Sequence, residues 1–352
     1  MTTGLIIGKF LPPHRGHQHL IDEARRQVDR LTVVVCSLDR EPIAGAQRVA
    51  WLREMFPDVE VLHHPEENPS EPHEHPDFWR IWTDSLRRHY PSRPDVVFSS
   101  EDYGDELARR LGARHVLVDR ERRRFPVSGQ QIREDPLGNW DFLPECVRPH
   151  YVKRIVVTGP ESTGKTSLAR ELAAHFDSAW VPEFAREYLD RKYAGHPPMS
   201  PPCREEDIDA IARGQIQSEE ARARAANRVL FCDTDLYLTV LYAEEYFGHR
   251  PAWIRTSAAT RPYDLHLLLD LDVPWVSDPQ RDLPHRRRAL FDGLRAELAR
   301  DGRPHVVISG DWEERWARAR SAVRSFLPPA AVQRSGTPSK RASPADVSAR
   351  SE

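Results

Sequence analysis

The segment GPESTGKT at residues 159–166 constrains the fold of this 352-residue chain more than any other feature. It matches the pattern G-x-x-x-x-G-K-[ST], in which glycines let backbone N–H groups approach phosphate oxygens and the lysine reaches the β- and γ-phosphates. The apolar run RIVVT precedes it, and a helical pattern follows to about residue 176. Strand, glycine loop and helix in this order predict a phosphate-binding P-loop at the carboxyl edge of a parallel sheet.

Short β-branched runs alternate with helical patterns in two successive stretches of the chain. In the first stretch, strands are predicted at residues 3–8, 31–37, 59–63, 94–99 and 115–118. In the second stretch, strands are predicted at residues 154–158, 228–232, 265–271 and 306–309. Such alternation is typical of α/β proteins, in which a parallel sheet lies between two layers of helices. We therefore predict two three-layer domains, at residues 1–150 and 151–327, and a disordered Pro/Ser/Ala-rich tail at 328–352.

Composition excludes several classes of protein. The 51 basic and 54 acidic residues give a net charge of −3, which argues against a nucleic-acid binder. No apolar run approaches the roughly 18–20 residues that cross a bilayer, and the start lacks the basic and apolar regions of a secretion signal. The four cysteines are dispersed and form no CxxC pair, as expected of a protein from a reducing compartment. We therefore expect a cytoplasmic protein with no nucleic-acid and no membrane partner.

The P-loop needs a carboxylate near its metal ion or its reacting hydroxyl. Asp233 and Asp235 follow the apolar run RVLFC, and the carboxyl end of such a strand faces the nucleotide crevice. One would act as catalytic base and the other would help Thr166 to hold Mg²⁺, and the sequence leaves the order open; an Asx turn or helix cap is the alternative. Metal ligation is predicted for Thr166 and Asp233, and catalysis for Asp233, Asp235 and Lys165. The predicted ATP-binding residues of this loop are Gly159, Glu161, Ser162, Thr163, Gly164, Lys165, Thr166 and Ser167.

Two further segments of the second stretch carry candidate site residues. EFAREY places Glu183, Arg186 and Tyr188 beside a short apolar run, and we predict that they contact the substrate. The alternative is a solvated helix start. The segment 277–288, SDPQRDLPHRRR, predicts a mobile lid whose Arg281 would neutralise the transferring phosphoryl group. The alternative for this segment is an exposed basic loop.

A second phosphate-handling pattern, GKFLPPHRGH, follows the first predicted strand and opens the first helix. His14, His17 and Lys9 at a helix N-terminus would stabilise the charge of a reacting phosphate. Further along, the segment PVSGQQIR again leads from a strand into a helix, where Ser128 and Arg133 would clamp a triphosphate. A loop histidine, a capping histidine and a plain helix cap are the alternatives. The ATP-binding residues predicted in this region are Gly8, Lys9, Phe10, His14, His17, Ser128 and Arg133.

Other histidines are grouped at residues 63–64 and 73–75. Their spacing follows no regular metal-ligand pattern, because Pro, Glu and Asn residues intervene irregularly. We therefore predict a polar surface loop rather than a metal site.

GKFxPxHxGH with the later VSGQQIR resembles the adenylyltransferases of the nucleotidyltransferase superfamily. The run 127–173, VSGQQIREDPLGNWDFLPECVRPHYVKRIVVTGPESTGKTSLARELA, is similar to the domain junction of the NadR family. The segments PIAGAQRVAWLREMFPD, FSSEDYG, EFAREYL and FCDTDL are also similar, so the resemblance covers about residues 3–325. It implies a Rossmann-like nucleotidyltransferase domain followed by a P-loop kinase domain.

The resemblance also implies two linked reactions that use MgATP. The second domain would phosphorylate nicotinamide riboside to nicotinamide mononucleotide (NMN), and the first would transfer an adenylyl group from ATP to NMN, giving NAD and pyrophosphate. His14 and His17 would stabilise the transition state. Trp275 would stack on the cationic nicotinamide ring, core packing being the alternative. The expected partners are ATP, nicotinamide riboside, NMN and NAD, with a homo-oligomer left open.

Two departures from the family pattern carry expectations. Gln130 stands where the family has threonine, so we expect weaker adenylyl transfer than phosphoryl transfer. The chain begins a few residues before its first strand, without the helix-turn-helix of some members, so we expect no DNA binding. Two rival functions remain open: a coenzyme A-type pairing of phosphopantetheine adenylyltransferase with a kinase, and a nucleotide-sensing regulator with a silent first domain.

Overall fold

The computed structural model describes residues 1–90, 93–197, 201–278 and 280–328. The tail predicted at 328–352 lies, from residue 329 onward, outside the described residues. The chain divides into two compact units, Met1–His150 and a second that begins at Tyr151, and each is described by itself. Within the described part of the chain, no helix has the length and apolar character needed to cross a lipid bilayer.

The first unit is built on a parallel sheet with the strand order β3-β2-β1-β4-β5. Its strands are β1 (Thr3–Gly8), β2 (Arg30–Cys36), β3 (Glu60–His64), β4 (Val96–Ser99) and β5 (Arg114–Leu117). Its helices are α1 (Arg15–Arg25), α2 (Gly45–Met55), α3 (Phe78–His89), α4 (Tyr103–Leu111), α5 (Gly129–Glu134) and α6 (Arg148–Tyr151), with a 3₁₀ turn at Trp140–Phe142. The strand order reverses at β1, which opens a crevice at the carboxyl ends of β1 and β4, where ligands bind in such sheets.

Successive side chains along each strand point to opposite faces of the sheet, so they pack against different layers of helices. Ile6 and Val33 join one buried cluster, which also contains Leu20 of α1. Leu5 joins the cluster on the other face, with Leu107 of α4. Because both faces of the sheet are covered, its inner strands are almost continuously apolar.

The second unit repeats this architecture with the strand order β10-β9-β6-β8-β7, again all parallel. Its strands are β6 (Lys153–Thr158), β7 (Ala179–Val181), β8 (Val229–Asp233), β9 (Tyr263–Leu269) and β10 (His305–Ile308). Its helices are α7 (Lys165–His175), α8 (Phe184–Lys192), α9 (Asp207–Ala223), α10 (Leu236–Phe247), α11 (Ala252–Thr260), α12 (Arg287–Arg300) and α13 (Trp312–Arg324). The predicted α/β class and parallel sheets are confirmed, whereas β7 and helices α10–α12 were not identified from the sequence.

Two local predictions were wrong. The expected lid loop ends before Arg287, because α12 begins there and Arg287 and Arg288 are helical. The histidine pair 63–64 does not lie in a surface loop: both residues belong to β3, and His64 is fully buried. Burial of His64 follows from its place on an inner face of the sheet, which the sequence spacing did not reveal.

Candidate active sites

The histidine motif of the first unit forms the N-terminal cap of α1. Nδ1 of His14 accepts a hydrogen bond from the Gly16 backbone N–H at 3.1 Å, and Nδ1 of His17 accepts one from the His14 N–H at 3.3 Å. The two rings stack with their centroids 3.7 Å apart. Because both Nδ1 atoms are acceptors, each neutral ring carries its proton on Nε2. The cap therefore fixes two Nε2–H donors.

Burial keeps these two imidazoles neutral. It lowers the pKa of His14 to about 3, with a further contribution from the positive charge of Arg122. The pKa of His17 also lies well below its usual value, chiefly because of burial, with contributions from the adjacent His14 and from the positive charge of Arg122. Arg122 has a backbone φ of 50°, and its guanidinium lies 3.3 Å from a carboxylate oxygen of Glu101. The positive charge of Arg122 disfavours protonation of both histidines.

The two sequence motifs of this unit meet in space, although more than a hundred residues separate them. Ser128 caps α5, and its Oγ accepts a hydrogen bond from the Gln131 N–H at 3.2 Å. Arg133 donates from Nη1 to the carbonyl oxygen of Leu11. A Cβ added to Gly129 would lie only 2.5 Å from that same oxygen. Only glycine therefore allows the second motif to approach the loop before the histidines so closely.

A cavity of about 680 Å³ lies at this junction, a size within the range of roughly 300–1,000 Å³ for small-molecule sites. All seven residues predicted to bind ATP in this unit line it: Gly8, Lys9, Phe10, His14, His17, Ser128 and Arg133. Gln130 lines it too, with Nε2 donating to Glu134 at 2.8 Å. The sequence analysis missed the lining residues Trp79, Trp82, Glu101, Tyr103 and Arg122. In the sequence, the amphipathic run DFWRIW at residues 77–82 could have pointed to the two tryptophans.

Arg48 supports this cavity from inside the core. Its fully buried guanidinium donates to the carbonyl oxygen of Lys9 at 2.7 Å and to a carboxylate oxygen of Glu41 at 2.7 Å. The other oxygen of Glu41 lies 3.3 Å from Nζ of Lys9. The arginine thereby fixes both the backbone and the ammonium group of the predicted phosphate-binding lysine. In the sequence, the only indication of this role is that Arg48 lies within an apolar helical pattern, the segment AQRVAW.

In the second unit, the P-loop is curved, and its backbone carbonyl oxygens accept hydrogen bonds from the side chains of Lys165 and Arg315. Gly159, Ser162 and Gly164 have positive φ angles of 147°, 57° and 88°, and such angles favour glycine at the first and last positions. Buried Arg315 donates from Nη1 to the carbonyl oxygen of Thr163 at 2.9 Å. Lys165 donates from Nζ to the carbonyl oxygen of Pro160 at 3.1 Å. The loop is therefore held in a curved conformation from within the fold.

Asp233 reaches the start of α7 from the end of β8. Oγ1 of Thr166 donates to Oδ2 of Asp233 at 2.6 Å, whereas Oδ1 of the same carboxylate is buried without a hydrogen-bond partner among the described residues. Burial, together with the charge of Glu183, raises the pKa of Asp233 to about 6. A hydroxyl and a carboxylate with a spare oxygen are ligands suited to a small divalent cation.

Five predicted residues are not among those that line the cavity beside the P-loop: Gly159, Tyr188, Asp233, Asp235 and Trp275. Asp235 is fully buried as the N-terminal cap of α10, where Oδ1 accepts from the Leu238 N–H and Oδ2 lies 3.1 Å from Nε2 of His266. The hydroxyl of Tyr188 donates to Asp207 at 2.8 Å, and neither Tyr188 nor Trp275 is among the cavity-lining residues. Other predicted residues do line the cavity: Glu161, Ser162, Thr163, Gly164, Lys165, Thr166, Ser167, Glu183, Arg186 and Arg281.

Part of the lining of the same cavity is aromatic and acidic. Tyr242 and Tyr246, both missed by the sequence analysis, line it with their rings 5.8 Å apart and nearly parallel. Glu161 and Glu183 line it as well, and burial together with the charge of Asp282 raises the pKa of Glu161. This combination is suited to a ligand with a flat, positively charged ring.

The loop around Arg281 closes one side of the cavity against α8. Arg186 donates from Nη1 to both carboxylate oxygens of Asp278 at 3.1 Å. Arg281 donates from Nη1 to the carbonyl oxygen of Val276 at 3.0 Å. The guanidinium of Arg287, from the first turn of α12, contacts the carbonyl oxygens of Ser162 and Val273. The loop is thus tied both to α8 and, through Arg287, to the P-loop.

Comparison with known families defines the class of protein. Residues 5–135 match the family model described as cytidylyltransferase-like, and residues 154–315 match the one described as an AAA domain. With the two sites above, the chain is an α/β protein that joins a nucleotidyltransferase-type domain to a P-loop nucleotide-binding domain.

Curated relatives and solved structures narrow this class. The chain is 29% identical over 348 residues to the trifunctional NAD biosynthesis/regulator protein NadR of Escherichia coli K12, covering 93% of this chain and 83% of that protein. The corresponding protein of Salmonella typhimurium is likewise 29% identical over 346 residues, covering 92% of this chain and 83% of its own length. Two crystal structures of NadR protein, one with NAD and AMP-PNP and one with NR, are 25% identical, with TM-scores of 0.74 and 0.75 over 97% of this chain and 98% of theirs. The chain is thus similar to NadR proteins over nearly its whole length.

Proposed function

We propose that this chain is a bifunctional transferase of NAD salvage. Its second domain, residues 151–327, phosphorylates nicotinamide riboside with ATP and gives NMN. Its first domain, residues 1–150, transfers the adenylyl group of a second ATP to NMN and gives NAD and pyrophosphate. Similarity to the NadR proteins supports both reactions, and the relatives solved with NAD, AMP-PNP and NR support the ligands. The oligomeric state stays open, and the absence of a nucleic-acid partner stays a prediction.

The observation that carries the kinase proposal is the contact between Thr166 and Asp233 beside the P-loop. The spare buried oxygen of Asp233 fits a Mg²⁺ ligand, directly or through water. We therefore assign Mg²⁺ binding to Thr166 and Asp233. Bound with ATP, the ion would neutralise charge on the β- and γ-phosphates. Asp235 has no part in this proposal because it is fully buried as the N-terminal cap of α10 and does not line the cavity.

In the phosphoryl transfer, the 5′-hydroxyl oxygen of the riboside forms a bond to the γ-phosphorus while the bond from that phosphorus to the β,γ-bridging oxygen breaks. The hydroxyl proton passes to a carboxylate, and we assign this role to Glu183, which lines the cavity close enough to raise the pKa of Asp233. Lys165 and Arg281 supply positive charge beside the β- and γ-phosphates, where negative charge develops as the bridging bond breaks. ADP and NMN are the products.

The acidic and aromatic residues of the cavity lining favour nicotinamide riboside over the coenzyme A-type alternative. The nicotinamide ring of the riboside is cationic, and Tyr242 and Tyr246 offer ring faces while Glu161 and Glu183 offer negative charge. Dephospho-coenzyme A is an anion and would be repelled by the same carboxylates. Trp275, which was predicted to stack on the ring, lies outside the lining residues, so we assign this contact to the two tyrosines.

In the adenylyl transfer, a phosphate oxygen of NMN forms a bond to the α-phosphorus of ATP, and the bond to the bridging oxygen of pyrophosphate breaks. His14 and His17 donate from Nε2 to the negative charge that develops on the transferring group, because their Nδ1 atoms are fixed as acceptors. Lys9, Ser128 and Arg133 bind the remaining phosphates. No covalent intermediate with the protein is required.

The test is a product analysis of the purified chain with ATP and either nicotinamide riboside or NMN. We expect ADP with NMN from the riboside, and pyrophosphate with NAD from NMN. Lys165→Ala should abolish only the first pair of products and His17→Ala only the second, so each variant serves as the control for the other. ADP without NAD would leave a kinase beside a silent first domain. Absence of both product pairs would contradict the nicotinamide assignment and direct the assay to pantetheine-type acceptors.

A further inference from the structure

Three potential metal ligands meet beside the first sheet, apart from both nucleotide sites. His64 is the last residue of β3, Glu66 follows two residues later, and His89 is the last residue of α3. One ligand atom from each residue lies within 4.8 Å of the other two. The sequence alone does not suggest this group, because 23 residues separate Glu66 from His89.

Two imidazoles and one carboxylate form a ligand set typical of divalent transition metals. Bonds of about 2.0–2.2 Å to a tetrahedral ion place ligand atoms roughly 3.3–3.5 Å apart, so ligand atoms as far apart as 4.8 Å need to approach each other by up to about 1.5 Å. His64 is fixed by burial, whereas the side chains of Glu66 and His89 are 29% and 37% exposed. The two outer ligands therefore have the freedom to close on an ion held against His64.

Neighbouring polar side chains hold these three potential ligands by hydrogen bonds, as the residues around a metal site hold its ligands. Ser85 Oγ contacts Nε2 of His64, donates to Glu66 at 2.7 Å and accepts from Nδ2 of Asn68 at 3.0 Å. Hydrogen bonds from Arg88 and Ser85 lower the pKa of Glu66 to about 2, so its carboxylate is ionised. Burial lowers the pKa of His64, which keeps the ring in the neutral form that metals bind.

We propose that His64, Glu66 and His89 bind one divalent transition-metal ion of the zinc class. The ion replaces the hydrogen bond between Nε2 of His89 and Oε1 of Glu66, which is 2.7 Å long without it. The ring of His64 stacks on Trp82 with centroids 5.6 Å apart, and Trp82 lines the cavity of the first unit. A bound ion thus stiffens one wall of that cavity. The proposal depends on neither of the two proposed reactions.

The test is a titration of the full chain with Co²⁺ in the absence of nucleotide, followed by visible d–d absorption and by calorimetry. We expect one Co²⁺ per chain with the absorption of a low-coordinate site, displaced by Zn²⁺. His89→Ala should weaken binding by more than about tenfold, whereas the matched variant His73→Ala, at an exposed histidine of the neighbouring loop, should bind as the parent does.

Glu66→Gln provides a second variant, and circular dichroism verifies that each variant folds. It should also weaken binding, because the amide removes the negative charge but preserves the size of the side chain. Absence of stoichiometric Co²⁺ binding to the parent chain would overturn the proposal. Unchanged affinity in the folded His89→Ala and Glu66→Gln variants would overturn it as well, because the bound ion would then sit on other residues.

Discussion

Replacing Gly129 by alanine should separate the two activities. The added Cβ would lie 2.5 Å from the carbonyl oxygen of Leu11, whereas ordinary contacts begin near 3.4 Å. The oxygen belongs to backbone and has no flexible side chain to move, so α5 and the loop before His14 must separate by about 0.9 Å. That shift carries Ser128 and Arg133 away from the histidine pair.

The expected loss follows from the size of this shift. Misplacement of catalytic groups by about 1 Å can lower a rate by about a hundredfold, which corresponds to about 2.7 kcal/mol of transition-state stabilisation. We therefore expect the kcat/KM for NAD formation from NMN and ATP to fall by about that factor. NMN formation from nicotinamide riboside should not change, because its residues belong to the other unit.

The matched control is Gly138→Ala, just beyond the same helix. There the three atoms nearest to the added Cβ all belong to the carboxyl group of Asp135, the movable end of a side chain. Both activities of this variant should stay close to those of the parent. Normal NAD formation by Gly129→Ala would refute the argument that the close approach of the two motifs is required. An equal loss of both activities would show general unfolding instead.

Three further predictions concern other parts of the two sites. The kcat/KM for MgATP in NMN formation should decline as the pH falls through about 6, because the raised pKa of Asp233 in the metal-free chain means that this carboxylate, the proposed metal ligand, becomes protonated there; a flat profile down to pH 5 would contradict this role. Gln130→Thr should raise NAD formation about fivefold by adding a phosphate-binding hydroxyl, and Gln130→Ala, which adds none, serves as the control. Arg48→Leu should lower the stability of the first unit by about 3–5 kcal/mol, because Glu41 loses its buried partner. Unchanged urea midpoints would contradict that expectation.

Much of the fold follows from local sequence. The apolar β-branched runs and the intervening helical patterns identify most strands, because a sheet buried on both faces needs nearly continuous apolar residues. The two phosphate motifs were likewise found from sequence, because each depends on a turn and a helix start formed within about ten residues. Placement of the seven predicted ATP-binding residues around one cavity required the meeting of Leu11 with Gly129.

Residues whose roles depend on distant segments were beyond the reach of sequence patterns. Arg48 looked like a helix residue, yet it holds Lys9 and Glu41 from inside the core. Tyr242 and Tyr246 belong to a helix that was not predicted, and they became site residues only when that helix packed beside the P-loop. No spacing rule covers such contacts, because they arise from the packing of whole elements.

The pair Asp233 and Asp235 illustrates the division between sequence and tertiary structure. The sequence by itself determined that two carboxylates end a strand beside the P-loop. The tertiary structure decided between them: Thr234 takes a φ of 71°, and the chain turns there into α10. Asp233 therefore stays at the crevice with Thr166, while Asp235 caps the new helix and pairs with His266 in the core. A single backbone angle, fixed by the packing of the surrounding fold, separates the proposed metal ligand from a structural cap.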